Sequence, residues 1–268
     1  MPNYYAHLTF GAAVYDHLSS GTVRRAVDRE RQAFDTGLYG PDPLFFFLDG
    51  IIPSVISKEG HALHSGAPEV ALERLRRPVE EKHPFALGYA LGYLCHYLLD
   101  RACHPFVYEN ESRRGISHMA MEGEFDRFLM KRSGINPRKV TPLKRPEDKG
   151  VSEAAALAYR NVTPFTFRMS MTGFYRISHM LTVCQGSILC PVFDLFTCGS
   201  KTARGMLLHR KPNKHAEYTN AELLSRWEAA VEPAAETLEQ VYEAYETGSP
   251  LTFLPRQNFK GQPLAQAG

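Results

Sequence analysis

One segment of the chain restricts its fold more than any other, because it places ionisable side chains at regular intervals in an apolar helix. Apolar residues occupy most positions of 84–102, which predicts a helix that is apolar nearly all round and therefore buried. His96, Asp100 and His104 recur every four residues, so they lie on one helix face, one turn above the other. Since Pro105 disfavours helical geometry at the residue before it, we expect the helix to end at His104.

The row of His96, Asp100 and His104 on one helix face favours metal coordination over a simple ion pair. The alternative interpretation is an exposed His–Asp ion pair, which would contribute only tenths of a kcal/mol to the stability of the fold. Burial of a carboxylate without a partner is costly, however, and coordination of a metal removes that cost. Imidazole nitrogens and carboxylate oxygens bind zinc at about 2.0–2.2 Å.

A second His–acid pair, His118 and Glu122, follows on the next predicted helix, at 118–131, for which Ser117 is a good N-cap. Asp126 lies one further turn along the same face. With eleven histidines in the chain, about one such pair is expected by chance, so a single pair would be weak evidence. Two pairs on consecutive helices, with His104 between them, make a stronger signal.

Other candidate ligands lie nearer the N-terminus. His7 is in the first predicted helix, Asp42 is in a Gly-Pro-Asp turn, and His61 and His64 lie three residues apart. Taken one at a time, each of these is more often a capping, turn or hydrogen-bonded core residue than a ligand.

The pattern of the whole chain predicts an all-α protein with helices packed around one shared core. No segment shows the alternation of a β-strand. We expect one helical domain over residues 1–250 and a C-terminal tail at 251–268, with an irregular segment at 43–66 and a kink or break at Pro233. The further predicted helices are 4–18, 22–35, 68–77, 152–160, 164–183, 187–196 and 221–245.

Composition excludes several classes of protein. A hydrophobic content of 44% and a charged content of 22% are ordinary for a globular protein and exclude global disorder. The net charge of +2 argues against dedicated nucleic-acid binding. An odd number of cysteines, five, and the lack of a signal-like start favour reduced thiols and a cytoplasmic location.

Together these elements resemble the zinc-dependent phospholipase C family, which is related in fold to the S1/P1 nucleases. The elements that match, in the family's order, are residues 7–11, 40–42, 60–64, 96–105 and 118–126. The resemblance implies a compact α-helical bundle with up to three zinc ions at the bottom of a cleft.

The resemblance also implies roles for single residues. It makes Asp100 a ligand shared by two zinc ions, Asp42 the candidate general base, and Asp126 a residue that orients a ligand. Pro2 would supply an N-terminal amine to the second zinc if Met1 is removed, and His64 is preferred over His61. The implied ligand sets are Asp42, His64, His96 and Asp100 for the first zinc, His7 and Asp100 for the second, and His104, His118 and Glu122 for the third.

The expected activity is hydrolysis of a phosphodiester, with a phospholipid as substrate and transient contact with a membrane surface. A nuclease-like or small-molecule phosphodiesterase on the same metals is one alternative, and a non-catalytic, zinc-stabilised helical protein is another. Residues 45–48 could line an apolar mouth for a lipid, although a core position is favoured. Residues 205–213 could bring cations near the cleft, although a solvated loop is favoured.

Overall fold

A computed structural model describes residues 4–50, 53–114, 116–184 and 212–264. These residues form α-helices and one 3₁₀ segment and contain no β-strand, which confirms the all-α prediction for this part of the chain. The elements are α1 (Tyr4–His17), α2 (Gly21–Arg29), α3 (Arg31–Gly37), the 3₁₀ segment (Asp42–Gly50), α4 (Val55–Ser65), α5 (Glu69–Glu80), α6 (Ala86–Arg114), α7 (His118–Arg132), α8 (Lys149–Leu157), α9 (Pro164–Cys184) and α10 (Ala216–Thr247).

Helix α6 is the centre of the fold, and α1, α3, α5, α7, α8 and α10 all pack against it. The expectation that it ends at His104 is wrong, because it continues through Pro105 to Arg114. A proline inside a helix costs about 3 kcal/mol. Phe106 and Val107 are both buried beyond it, and burial of such side chains contributes about 1.5–3 kcal/mol each. Tertiary packing therefore offsets the cost of the proline.

Close contact between α3 and α6 brings the residues that follow α3 onto the side of α6 that carries His96. A Cβ atom built on Gly92 would lie 2.9 Å from the Cα atom of Gly37 and would overlap the carbonyl oxygen of Phe34. Only glycine at Gly92 allows the two backbones to approach this closely. The chain leaves α3 beside the turn of α6 that carries His96.

The segment at 43–66 is not irregular throughout, which corrects the sequence-based expectation. Most of it forms the 3₁₀ segment and α4. Ser54 and Ser57 form a reciprocal capping box at the start of α4, which satisfies backbone N–H groups that a helix start leaves free. That short-range signal was present in the sequence, and it places His64 in the last turn of a regular helix.

Other boundaries also differ from the expected ones. The helix expected at 22–35 is two helices, because the backbone breaks at Glu30, and its N-cap is Ser20 rather than Thr22. The last helix starts earlier than expected and runs through Pro233 without ending. The helix at 164–183 is confirmed within one residue, whereas the one expected at 187–196 lies outside the described residues.

Residues 251–264, expected to be a tail, lie against the helices. Phe259 is fully buried, and Leu251 and Leu254 are buried as well. The boundary at residue 250 stays a prediction.

In the described ranges, no helix combines the length and the apolar character needed to cross a membrane. Cys95 and Cys103 are buried free thiols, in line with the interpretation of the cysteines as small core residues. Cys190 and Cys198 lie outside the described residues.

Candidate metal centre

Eight imidazole and carboxylate side chains from five elements converge in the interior of the fold. Within each of three groups, the candidate ligand atoms lie within 4.8 Å of one another. Helices α1, α4, α6 and α7 and the 3₁₀ segment each contribute at least one side chain. The groups are His7, His96 and Asp100; Asp42, His64 and His96; and His104, His118 and Glu122.

Asp100 lies at the centre of these groups. Its Oδ1 atom is 3.2 Å from Nε2 of His7 and 3.7 Å from Nε2 of His104. Its Oδ2 atom is 3.3 Å from Nε2 of His96 and 3.8 Å from Nε2 of His64. Four histidines therefore face one buried carboxylate, which is the arrangement expected of a ligand shared between metal ions.

The side of the centre formed by Asp42, His64 and His96 contains buried polar atoms that lack partners. Nε2 of His64 approaches Oδ1 of Asp42 to 3.0 Å, yet Oδ1 has no hydrogen bond, and neither has Nε2 of His96. Buried polar atoms without partners are rare in native proteins and require an explanation. A cation bound between the nitrogen and oxygen atoms satisfies all of them.

The other end of the centre is formed by α6 and α7. Nε2 of His104 lies 3.2 Å, and Nε2 of His118 lies 2.8 Å, from the same Oε1 atom of Glu122. The second oxygen, Oε2, is buried without a partner. Two imidazoles and a carboxylate are a ligand set that zinc commonly uses.

Backbone carbonyls orient three of the histidines. The Nδ1 atoms of His64, His96 and His104 lie 2.9, 3.1 and 2.8 Å from carbonyl oxygens of Gly60, Leu38 and Phe259, respectively. A carbonyl oxygen only accepts, so each Nδ1 carries the proton and donates it. When the ring is neutral, the Nε2 lone pair is therefore left to face the centre, as metal-ligating histidines require.

Charges in the centre shift the pKa values of its acids. Burial raises the pKa of Asp100, but His104, His96 and His7 outweigh it and hold that pKa well below its ordinary value. Burial likewise raises the pKa of Glu122, and His118 and His104 bring it well below the ordinary range. Both carboxylates are thus ionised and available as ligands at neutral pH.

A pH dependence of zinc binding follows from His104. Burial lowers its pKa, but Asp100 and Glu122 outweigh burial and raise the pKa to about 9. In the zinc-free protein, His104 is therefore protonated at pH 7, and zinc has to displace that proton. We expect zinc affinity at this group to increase about tenfold per pH unit as the pH rises towards 9 and to level off above it. Competition with a chelator from pH 6 to 10 measures this, and an affinity that does not change with pH would contradict it.

The turn that carries Asp42 is shaped by Gly40. Its φ angle is +51°, and a Cβ atom built on it would overlap the imidazole ring of His96. The hydroxyl of Tyr159 donates to the carbonyl oxygen of Gly40 at 3.0 Å. Glycine is needed here both for the left-handed backbone and for the close approach to a candidate ligand.

Replacing Gly40 by alanine should therefore damage the centre as well as the backbone. We expect Gly40→Ala to lower the melting temperature and to weaken zinc binding, because the added methyl group displaces His96. The control is Gly248→Ala, since Gly248 has a φ angle of +69° with no atom near its Cβ position. That variant should lose about 1–2 kcal/mol of stability from the backbone alone and keep its zinc affinity. Equal zinc affinity in both variants would contradict the role of Gly40.

Asp126 acts on the backbone of α1. Its two carboxylate oxygens accept hydrogen bonds from the backbone N–H groups of Tyr5 at 3.1 Å and Ala6 at 2.8 Å. These are N–H groups of the first turn, which a helix cannot satisfy internally. Because His7 is the next residue, these hydrogen bonds hold the first turn of the helix that carries a candidate ligand. The role of Asp126 in orienting a ligand stays a prediction.

The remaining histidines of the described chain lie away from the groups. His61 is exposed and packs against the ring of Phe45 at a centroid distance of 4.6 Å, whereas His64 points inward. His17 and His179 are exposed, and His83 and His215 are partly buried. Pro2 and residues 205–211 lie outside the described residues.

Sequence reasoning missed two contributors to the centre, Phe259 and Tyr159. Phe259 acts through its carbonyl and Tyr159 through a contact with the backbone of Gly40. Neither residue belongs to a spacing pattern that could have indicated it.

Comparison with known proteins agrees with this geometry. A family model described as zinc dependent phospholipase C matches residues 6–171, which is more than half of the chain. No curated protein and no solved structure gives a significant match. The matched range includes all eight residues of the three groups. The chain therefore belongs to the zinc-dependent phospholipase C family and has the all-α fold of the phospholipase C/P1 nuclease type.

Proposed function

We propose that the protein is a zinc-dependent hydrolase that cleaves the phosphodiester of a phospholipid on the glycerol side of the phosphorus. The observation that carries the proposal is the convergence of eight ligand-type side chains in three groups, with Asp100 close to a histidine of each group. The family membership supports zinc as the metal and a phospholipid as the substrate.

The residues present fit zinc well. Each group offers imidazole nitrogens and carboxylate oxygens, and unpartnered buried atoms of Asp42, His96 and Glu122 belong to these same groups. When bound, zinc ions supply Lewis acidity, which lowers the pKa of a water molecule towards about 7 and neutralises charge on phosphate oxygens. We propose up to three ions. The proposed ligands are Asp42, His64, His96 and Asp100 for the first, His7 and Asp100 for the second, and His104, His118 and Glu122 for the third.

Asp42 is the proposed general base. It is buried in the 3₁₀ segment, and its Oδ1 atom has no hydrogen-bond donor. In the proposed step, the oxygen of a water molecule forms a bond to phosphorus while a carboxylate oxygen of Asp42 accepts its proton. The ester bond to the glycerol oxygen breaks, and that oxygen leaves as an alcohol after it takes up a proton. The products are a diacylglycerol and a phosphorylated head group.

The surroundings of Asp42 support an apolar substrate. Phe45 is partly buried, with its ring 5.1 Å from that of His64, and Phe46 belongs to the core. Leu48 is 44% exposed on the same segment. An exposed leucine on the segment that carries Asp42 supports transient contact with a membrane surface. A cytoplasmic location stays a prediction from the sequence.

An activity screen on the zinc-loaded chain tests the proposal. Phosphatidylcholine vesicles, a chromogenic phosphodiester and single-stranded DNA would be offered in parallel, with His17→Ala as a control because His17 is exposed and outside the three groups. We expect release of diacylglycerol from the vesicles, loss of it with a chelator, and no change in His17→Ala.

Two results would overturn the proposed function. Faster cleavage of DNA than of the vesicles would indicate a nuclease on the same metals. Tight zinc binding with no turnover of any of the three substrates would indicate a protein in which zinc contributes only to folding.

A further inference from the structure

Residues 251–264, which we call the C-terminal strap, are fastened to the face of α6 that lies next to the centre. The hydroxyl of Tyr97 is within hydrogen-bond distance of two carbonyl oxygens, that of Pro255 at 3.1 Å and that of Gln257 at 3.0 Å. One guanidinium nitrogen of Arg101 donates to the side-chain oxygen of Gln257 at 3.1 Å. Tyr97 and Arg101 directly follow His96 and Asp100 in the chain.

A tight turn in the strap then lies on the turn of α6 that carries His104. The side-chain oxygen of Asn258 accepts from the backbone N–H groups of Lys260 and Gln262 at 2.9 and 3.0 Å, which orders the turn. Gly261 has a φ angle of +69°, and a Cβ atom built on it would lie 2.5 Å from Cγ of Pro105 and 3.0 Å from the carbonyl oxygen of Arg101. Only glycine lets the strap lie this close to α6.

Phe259, at the tip of this turn, contacts candidate ligands from two different groups. Its carbonyl oxygen accepts from Nδ1 of His104 at 2.8 Å. Its ring, which is fully buried, lies with its centroid 5.2 Å from that of His64 and 5.9 Å from that of His96. A single residue, 155 positions from His104 in the chain, therefore restrains three imidazoles.

We propose that the C-terminal strap is a positioning element of the metal centre, with Phe259 holding His104 by its carbonyl and His64 and His96 by its ring. The strap lies outside the range that the family model matches, 6–171. Partners that hold the outer nitrogen of a ligating histidine raise metal affinity by about 10- to 100-fold. The inference rests on one part of the proposed function, namely that the three groups bind zinc.

A glycine pair tests the docking of the strap. Gly261→Ala places a methyl group against Pro105, whereas Gly134→Ala has the same left-handed strain, with φ of +71°, and nothing near its Cβ position. Zinc affinity of the whole chain would be measured by competition with a chromogenic chelator. We expect at least tenfold weaker binding of one zinc in Gly261→Ala and unchanged affinity in Gly134→Ala. Equal affinity in the two variants would overturn the inference.

A phenylalanine pair tests the tip of the strap. Phe259→Ala removes the buried ring, and Phe253→Ala changes a residue of the same segment that is 42% exposed. We expect weaker zinc binding in Phe259→Ala only, with partial recovery in Phe259→Leu, which keeps an apolar side chain in place. Loss of thermal stability in Phe259→Ala without loss of zinc affinity would mean that the ring is only a core residue, and would overturn its positioning role.

Hydrogen exchange on the unmodified chain covers the case in which a variant fails to fold. Coupling between two binding events is reciprocal. If the docked strap increases the affinity for zinc, bound zinc must in turn stabilise the docked strap. The backbone N–H groups of Asn258 and Gly261 are hydrogen-bonded within the strap, and we expect their exchange to slow at least tenfold when zinc is bound. Exchange that is the same with and without zinc would overturn the inference while zinc binding and turnover still stand. A wild-type chain that binds no zinc would instead overturn the proposed function as well.

Discussion

Replacing Asp100 by asparagine is expected to lower the activity by about 1000-fold or more, since loss of a single electrostatic stabiliser already costs about 10²–10³ in rate. The carboxylate faces His7, His96, His104 and His64 within 3.8 Å. An amide keeps the shape of the side chain but removes the negative charge that two metal ions would share. Zinc content should fall by at least one ion per chain, measured by elemental analysis of the purified variant.

His17→Ala is the matched control for this change. His17 is a histidine of α1, as His7 is, but it is exposed and has its Nδ1 atom 2.8 Å from the carbonyl oxygen of Ala13. The variant should keep the zinc content and the turnover of the wild type. Unchanged zinc stoichiometry in a folded Asp100→Asn protein would contradict the assignment of Asp100 as a shared ligand.

Removal of zinc is expected to have the second largest effect, because folding and metal binding are linked. A ligand at 1000 times its Kd stabilises the folded state by about 4 kcal/mol. For a chain of this size, 1 kcal/mol corresponds to about 2–4 °C in melting temperature. A chelator should therefore lower the melting temperature by about 10 °C for one tightly held ion, and by more if several are lost.

Calorimetry with and without chelator measures this shift, and Asp100→Asn again supplies the comparison. Because the variant should hold fewer ions, its melting temperature should respond less to the chelator than that of the wild type. A wild-type chain that loses its zinc to the chelator with no change in melting temperature would contradict the internal location of the centre.

The sequence was sufficient to predict the part of the centre that follows from helical spacing. His96, Asp100 and His104 lie on one face of α6, and His118 and Glu122 on one face of α7, as the four-residue interval predicts. This spacing depends only on residues within one helix, so the predicted shared face is correct even where the helix boundaries differ from the expected ones. The choice of His64 over His61 came from the family resemblance, and the structure places His64 in the centre and His61 at the surface.

The rest could not be predicted, because it depends on contacts between distant parts of the chain. Pro105 and Pro233 have strong local preferences for a helix end, yet both lie inside long helices whose packing overrides those preferences. Phe259 contributes a backbone carbonyl, which every residue type has, so no sequence signal distinguishes it. The close approach of Gly40 to His96 likewise appears only when the turn and α6 are folded together.

Zinc binding by the converging side chains is tested most directly by X-ray diffraction from zinc-loaded crystals at the zinc absorption edge, which locates the ions independently of any activity. We expect anomalous peaks at about 2.0–2.2 Å from imidazole nitrogens and carboxylate oxygens of the three groups, with Asp100 contacting two of the peaks. Peaks found only at exposed histidines such as His17, or none among the eight converging side chains, would contradict this expectation.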